Sequence, residues 1–186
     1  MAKGMGPSAA AALLLLAVAV CTKGHRDAAP EAAARDYLAG LGKRYTPREL
    51  SETTALVLKD LLVTDKGVAH LAGLGKLRFL SLEATRVTDA GVPRLAAFPR
   101  LDVLDLARDP ISDAALEHLG KLTRLRGPGL AGTKITDAGL RHLAGLANLT
   151  ALHLAHTAVS DAGVAHLHGL GRLEKIVNSS PGPVVT

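Results

Sequence analysis

Apolar residues recur along this chain in a pattern with a period of 24 positions and no insertion between copies. Each copy reads L-x-x-L-x-L-x-x-T-x-V-T-D-A-G-V-x-x-L-x-x-L-x-x, and the leading leucines are Leu77, Leu101, Leu125, Leu149 and Leu173. The first half of the copy alternates apolar and polar residues, which predicts a short strand. The second half spaces apolar residues three and four apart, which predicts a helical turn.

The pattern is weaker at both ends and in the third copy. A partial copy ahead of the first full copy begins near Thr54, with Thr53 in place of the leading leucine, and the last copy fades at Asn178. The third copy contains Arg126-Gly127-Pro128-Gly129, where Pro128 removes a ladder donor and the glycines remove side chains. Two interpretations follow: a notch that a partner's backbone approaches closely, or a degenerate repeat that sound neighbours tolerate.

A strand-then-helix unit with a period in the twenties is typical of leucine-rich repeats. The motif V/I-T-D-A-G-V/L-x-x-L resembles the T-D-x-G-L/V type of these repeats, and it is similar to exported bacterial leucine-rich repeat proteins. It is related to the repeat type of F-box leucine-rich repeat proteins, but an export signal and a short lead-in do not fit an F-box protein. The resemblance covers about residues 31–178.

This resemblance implies an α/β leucine-rich repeat solenoid of about five repeats. A curved parallel sheet would carry short helices on its convex side, with an N-terminal capping helix before the first repeat. The resemblance further implies protein–protein recognition, and it brings no catalytic residue with it. A single repeat cannot bury its own apolar face, so the stability of such an array depends on stacking between neighbours.

Residues 1–20 differ in composition from the rest of the chain. Lys3 precedes an apolar run from Ala9 to Val20, which is shorter than the roughly 20 residues a membrane span needs. With Ala17-Val18-Ala19 as a cleavage site, the pattern predicts a signal peptide and export to the periplasm, cell envelope or extracellular space. The alternative is that Met5 is the true start. We expect no transmembrane span in the mature chain.

The single cysteine, Cys21, directly follows the apolar run. Two interpretations stay open: it is a site of lipid attachment, or it is an ordinary residue near the cleavage point. Residues 21–52 then read as a linker and a capping helix over Glu31–Leu41, which Pro30 precedes and Gly40 and Gly42 end. Residues 53–178 hold the repeats, and residues 179–186 form a tail without a capping helix.

Two polar columns invite a functional interpretation. A Thr/Ser-Asp pair precedes each helical half, at Thr64-Asp65, Thr88-Asp89, Ser112-Asp113, Thr136-Asp137 and Ser160-Asp161. We interpret the pairs as helix caps, and either residue of a pair suits that role. The second column consists of histidines, namely His70, His118, His142 and His166, with Arg94 in the gap. We expect it to face the convex side. Successive helices there are about 10 Å apart, so two adjacent imidazoles are too distant to bind the same metal ion.

A third column holds Thr85, Thr133 and Thr157 in the turn after each strand, where many such repeats carry Asn or Cys. Asp109 breaks this column. We expect its carboxylate to accept the same backbone N–H groups. Pro93, early in a helical half, predicts a short or irregular helix there.

Composition and charge narrow the choice of partner. The net charge is +5, but lysines and arginines are scattered among acids and aromatics make up only 2% of residues. Nucleic-acid binding needs clustered cations and stacking aromatics, so we expect no nucleic-acid partner. Nothing in the sequence predicts a cofactor or a metal.

The concave face comprises the outward residues of the predicted strands. These are Val57, Lys59, Phe79, Ser81, Glu83, Val103, Asp105, Ala107, Gly127, Gly129, Ala131, Ala151, His153, Ala155, Lys175 and Val177. Ser81, Asp105 and His153 share a row, but parallel strands about 4.8 Å apart place Ser81 roughly 14 Å from His153. A hydrolase triad needs contacts of about 3 Å and is therefore excluded.

We therefore predict a non-enzymatic module that recognises a protein or peptide on its concave face. The predicted contact residues are Phe79, Ser81, Glu83, Asp105 and His153. Because small residues dominate this face, we expect modest affinity. Two alternatives are a structural envelope component that assembles through its repeat ends, and an accessory or inhibitor subunit of an enzyme.

Overall fold

A computed structural model describes residues 30–178 of the chain. Helices α1 (Pro30–Gly40) and α2 (Pro47–Glu52) come first. Strands β1 (Ala55–Val57), β2 (Phe79–Ser81), β3 (Val103–Asp105), β4 (Gly127–Gly129), β5 (Ala151–His153) and β6 (Lys175–Val177) follow. Between them lie α3 (Asp65–His70), a 3-10 helix (Val92–Ala97), α4 (Asp113–Leu119), and α5 (Asp137–Leu140) and α6 (Asp161–Val164), which continue as 3-10 turns at Arg141–Leu143 and Ala165–Leu167.

The six strands form one parallel sheet in sequence order, β1 to β6. Paired residues are 24 apart, as in Leu56↔Leu80 and Leu80↔Leu104, so the sheet register reproduces the sequence period. The predicted leucine-rich repeat solenoid is confirmed. The last copy, whose pattern fades at Asn178, still contributes β6, which pairs with β5 through Leu152↔Ile176.

The apolar columns of successive repeats form one continuous hydrophobic core. Leucines of the central strands, such as Leu104 and Leu152, are fully buried. Burial decreases in the last repeat, where Val164, Leu173 and Ile176 are only partly buried. The interior rows are therefore shared between neighbours, as a nearest-neighbour array requires.

The predicted N-terminal helix is present as α1. It buries Ala34 and Leu38 completely, and the Tyr37 ring stacks on His70 of α3 with centroids 5.3 Å apart. Gly67 lies directly against Tyr37, where a Cβ atom would collide with the phenol ring. The helix thus covers the first repeat.

The sequence analysis did not predict α2. Its start is a capping box: the Thr46 hydroxyl accepts the Glu49 N–H at 3.2 Å, and the Glu49 carboxylate accepts the Thr46 N–H at 2.7 Å. Pro47 occupies the first turn. The signal was in the sequence as Thr-Pro-x-Glu, which favours a helix start.

In three of the five Thr/Ser-Asp pairs the structure shows that the hydroxyl residue is the cap, whereas Thr64 makes no capping hydrogen bond and Gly91, not Thr88, is the N-cap of the 3-10 helix. The hydroxyls of Ser112, Thr136 and Ser160 accept a backbone N–H two residues ahead, at 3.2–3.4 Å. The aspartates instead reach the following repeat. For example, Asp113 accepts both the N–H (2.8 Å) and the hydroxyl (2.6 Å) of Thr136.

This aspartate bridge recurs between four pairs of repeats. Asp65, Asp89, Asp113 and Asp137 bind Thr88, Ser112, Thr136 and Ser160 in the same way. Hydrogen bonding by Ser160 lowers the pKa of the Asp137 carboxyl. The pair, which recurs at the same place in each repeat, therefore does more than cap helices, because its aspartate also binds the next repeat.

Both prolines act as predicted. Val92–Ala97, with Pro93 in its first turn, is a 3-10 helix. Around Pro128, β3 and β4 pair over three residues, but β4 and β5 pair only through Gly129↔His153. Bonds on either side, Leu130 N–H to the His153 carbonyl (2.9 Å) and Thr150 N–H to the Arg126 carbonyl (2.8 Å), hold the sheet together there.

Strands β1 to β5 are each followed by a turn with one residue at positive φ: Asp60, Ala84, Arg108, Gly132 and His156. The threonine column comes directly after this residue, and there Thr133 and Thr157 donate to carbonyls three residues back. Asp109 occupies this column and is 2% exposed. As expected, one of its oxygens, Oδ1, accepts a backbone N–H, that of Thr85, at 2.7 Å, together with the Thr85 hydroxyl at 3.0 Å.

Burial raises the pKa of the Asp109 carboxyl to about 7, against the opposing effect of the Thr85 hydrogen bonds. The nearby Asp105 and Glu83 charges raise it further. Its other oxygen, Oδ2, is buried and has no hydrogen-bond partner in the described part of the chain.

Within residues 30–178, no helix is long and apolar enough to cross a membrane. The predicted signal peptide (1–20), Cys21 and the tail (179–186) lie outside the described residues.

Candidate binding site on the concave face

The strand register arranges the concave face in rows that cross the sheet. One row holds Phe79, Val103 and Gly127, and the next holds Ser81, Asp105, Gly129 and His153. Along each strand these residues alternate with buried core residues. The concave face therefore has the composition and register that the sequence predicts.

A depression of about 610 Å³ lies over β4 on this face. Its floor is low because β4 presents Gly127 and Gly129 between the longer side chains of β3 and β5. The lining includes four of the five predicted contact residues, namely Phe79, Glu83, Asp105 and His153. It also includes Val103, Arg126 and Thr150, which the sequence analysis did not select.

Asp105 extends over the floor of the depression. A Cβ atom on Gly129 would lie 2.6 Å from the Asp105 carboxylate, so the glycine makes room for that side chain. The carboxylate accepts the Ala107 N–H at 3.1 Å and a long bond of 3.4 Å from the Ser81 hydroxyl. Among the described residues it has no cationic partner, so it retains capacity to accept further hydrogen bonds.

Glu83, unlike Asp105, forms ion pairs with cations of this chain. Its carboxylate pairs with Lys59 at 2.8 Å and with Arg108 on the other side, which joins three successive repeats. The hydrogen bond from Lys59 is the main reason that the pKa of Glu83 is lowered. Because both cations belong to this chain, Glu83 offers a partner little uncompensated charge.

The remaining predicted contacts differ in accessibility. His153 is exposed and Phe79 is half-buried, whereas Ser81 is only 4% exposed and can contribute little contact area. Ser81 lies beside Asp105, but Gly129 separates Asp105 from His153 in the register. The three residues therefore do not form a catalytic triad, in agreement with the strand-spacing argument.

Two further charges border the depression. Asp102 is 9% exposed and is neutralised by the Arg78 guanidinium, whose Nε donates at 2.7 Å. Arg126 is exposed and forms no ion pair within residues 30–178. Asp105 and Arg126 are thus the charges at this site that the chain's own residues leave unpaired.

The histidine column offers no comparable site. His70 is engaged by Tyr37, while His118 and His142 are half-buried and His166 is exposed on successive helical segments. No group of three or more potential metal ligands occurs within the described 149-residue span, 30–178.

Comparison with known proteins finds relatives only among solved structures. No protein-family model and no curated protein sequence matches the chain. Internalin C2 from Listeria monocytogenes is 30% identical and superposes with a TM-score of 0.57, over 76% of this chain and 54% of that chain. Internalin F from the same organism is 18% identical with a TM-score of 0.41, over 69% of this chain and 48% of that chain.

The chain thus spans about half the length of internalin C2. Internalins are leucine-rich repeat proteins, and this chain has the parallel sheet and short helices of that fold. The chain is a leucine-rich repeat solenoid.

Proposed function

We propose that this chain is an exported, non-enzymatic module that binds a protein or peptide partner on its concave face. The observation that carries the proposal is the open depression over β4, with the unpaired Asp105 carboxylate above its floor. Elsewhere on this face, Glu83 is neutralised within the chain. A hollow that keeps an accessible carboxylate, while the neighbouring Glu83 is paired within the chain, suits recognition.

Export and the T-D-x-G repeat type belong to the same proposal. The apolar run before Cys21 supports export, and the 24-residue register supports the repeat type found in exported bacterial leucine-rich repeat proteins. Sequencing the N-terminus of the mature protein tests export. A start directly after Ala19 supports cleavage, and a modified Cys21 at the N-terminus supports lipid attachment.

Selection from a library of displayed folded domains against the full chain tests the binding proposal. Selected binders should lose at least tenfold in affinity for the double variant Phe79→Ala/Asp105→Ala. They should keep their affinity for Arg94→Ala/His118→Ala, which changes only the convex side. Binders that respond to the convex variant instead would place recognition elsewhere.

Assembly of like chains through the repeat ends is the second candidate. It has support from the partial burial of Leu173 and Ile176 at the last described repeat. Sedimentation velocity separates the two functions. Self-association that Ile176→Lys abolishes and Phe79→Ala/Asp105→Ala leaves intact favours assembly over partner recognition.

A further inference from the structure

Strand β4 forms the floor of a trough that runs along the strand direction. We call it the glycine trough, with its floor at Gly127, Gly129 and Ala131. The flanking walls stand on β3 and β5, about 10 Å apart because adjacent strands are about 4.8 Å apart. Gly127 and Gly129 are about 7 Å apart along the strand, since each residue rises about 3.3 Å, and Ala131 lies beyond them in the turn that follows β4. A trough of this size accommodates a short extended segment of another chain.

The walls and floor differ in chemistry. Val103 and Ala151 line the Gly127 end with apolar surface, and Phe79 borders it. The Asp105 carboxylate overhangs Gly129 further along the floor. An apolar slot that leads to an unpaired carboxylate is complementary to a side chain with an aliphatic stem and a cationic end.

The trough carries a positive charge at its Gly127 end and a negative charge over Gly129. Arg126 precedes Gly127 at one end and has no anionic partner among residues 30–178. It would repel a second basic residue, whereas Asp105 attracts a first one. The other carboxylates near the trough do not compete with Asp105 for the cation. Asp102 is paired with Arg78, and Glu83 is paired with Lys59 and Arg108.

We propose that the glycine trough binds an extended peptide segment of a partner protein through one lysine or arginine side chain. The stem of that side chain lies over Gly127 between Val103 and Ala151, and its cationic end reaches Asp105. This inference rests on the proposed function and names its partner class. It also assigns the glycine pair of the third repeat to recognition.

A peptide array with matched central residues tests this chemistry. Capped nonapeptides with varied flanks are each made in three forms, with lysine, norleucine or glutamate at the centre, and are probed with the full chain. Norleucine keeps most of the stem and removes the charge. We expect the lysine form to bind about tenfold more tightly than its norleucine match, as a charge-assisted hydrogen bond would provide.

Three variants identify the residues responsible. Asp105→Asn should reduce the lysine-to-norleucine ratio to about one, while Glu83→Gln should leave it unchanged. Gly127→Val should weaken the lysine and norleucine forms alike by filling the floor. It is compatible with the fold, because a Cβ atom there lies 3.9 Å from Val103. Urea unfolding checks that each variant is folded.

The outcomes are distinct. The proposal is supported if the lysine preference depends on Asp105 and if Gly127→Val weakens the binding of the lysine and norleucine forms alike. A preference for glutamate, a lysine preference unchanged in Asp105→Asn, or no peptide binding overturns it. Any of these failures leaves concave-face recognition standing if displayed folded domains still respond to Phe79→Ala/Asp105→Ala.

Discussion

At the scale of single residues, the ionisable group with the largest consequence is Asp109. The folded chain holds its proton up to about pH 7, whereas an unfolded aspartate loses it near its ordinary value of 3.8. Between these values the folded state binds more protons than the unfolded state. The free energy of unfolding therefore falls as pH rises from about 4 to 7, and is restored as pH is lowered.

Asp109→Asn should remove this pH dependence. The amide oxygen can still accept the Thr85 N–H and hydroxyl, and no charge has to be buried. We expect the variant to gain about 1–3 kcal/mol over the parent chain near pH 7.5 and little at pH 4.5. Urea titrations at several pH values measure this. Glu117→Gln is the control, because Lys121 lowers the pKa of Glu117 and places its effect at acidic pH.

A parent slope that persists in Asp109→Asn would show that other groups produce it. The Asp137 carboxyl cannot do so in the same direction. Its pKa is lowered on folding, so it stabilises the chain at neutral pH and loses that contribution as pH falls.

The turn after each strand gives a second prediction at the residue scale. Gly132 has φ = 68°, and a Cβ atom there would lie 3.2 Å from Arg108 Cγ. Gly132→Ala should therefore cost about 1–2 kcal/mol. Gly145 has negative φ and nothing within 4 Å of a Cβ atom, so Gly145→Ala should stabilise by about 0.4–1 kcal/mol. Equal effects of the two substitutions on thermal unfolding would contradict the backbone argument.

At the scale of elements, the aspartate bridge makes a prediction that simple capping does not. Asp113 holds Thr136 of the next repeat through two hydrogen bonds. Asp113→Ala should cost about 1–2 kcal/mol. Glu117→Ala, at an exposed position on the same helix, should change stability much less.

A double-mutant cycle separates the bridge from a helix-dipole effect. Asp113→Ala combined with Thr136→Ala should show a coupling energy of about 1 kcal/mol, because each substitution removes the other's partner. If Asp113 acted only on the N-terminus of its own helix, the two effects would be additive. Denaturant titration of the parent chain, the two single variants and the double variant measures the coupling energy.

The elements also show how far sequence reasoning reaches. Period-two and helical spacing identified the strands, the core columns and the concave face, because each of these depends only on which residues are apolar and 24 apart. The same reasoning placed Pro93 in an irregular helix. The sequence also contains the capping box that starts α2. It indicates a helix there only if Thr46-Pro47 is interpreted as a helix start and not as a break.

Pairing between repeats could not be derived in this way. Whether Asp113 or Ser112 caps the helix depends on side-chain rotamers and on the distance to the next repeat. The site shows the same limit. Glu83 and Asp105 are both acids that the sequence places on the concave face, and only their neighbours show that one is neutralised and the other is not.

At the scale of the whole molecule, stability should be distributed unevenly along the solenoid. Helix α1 covers the core at the N-terminal side, while Leu173 and Ile176 in the last described repeat stay partly buried. Each interior repeat shares its core with two neighbours. A repeat at the end of the stack gains less from the same columns of leucine.

Two matched truncations in the strands measure this gradient. Leu104→Ala in β3 removes a fully buried side chain and should cost about 2–5 kcal/mol. Ile176→Ala in β6 should cost less than about half as much, because that side chain is only partly buried. Both substitutions occupy the same column of the repeat, so the comparison isolates position in the array.

Hydrogen exchange tests the same gradient of stability along the solenoid without mutation. The Leu106 N–H binds the Gly129 carbonyl at 2.8 Å, and the Leu154 N–H binds the Val177 carbonyl at 2.7 Å. Bond lengths alone predict similar protection. Because local opening at the end of an array breaks fewer contacts, we expect Leu154 to exchange faster. Equal protection at both amides would mean that the repeats unfold as one cooperative unit, and the glycine trough would then be as rigid as the rest of the sheet.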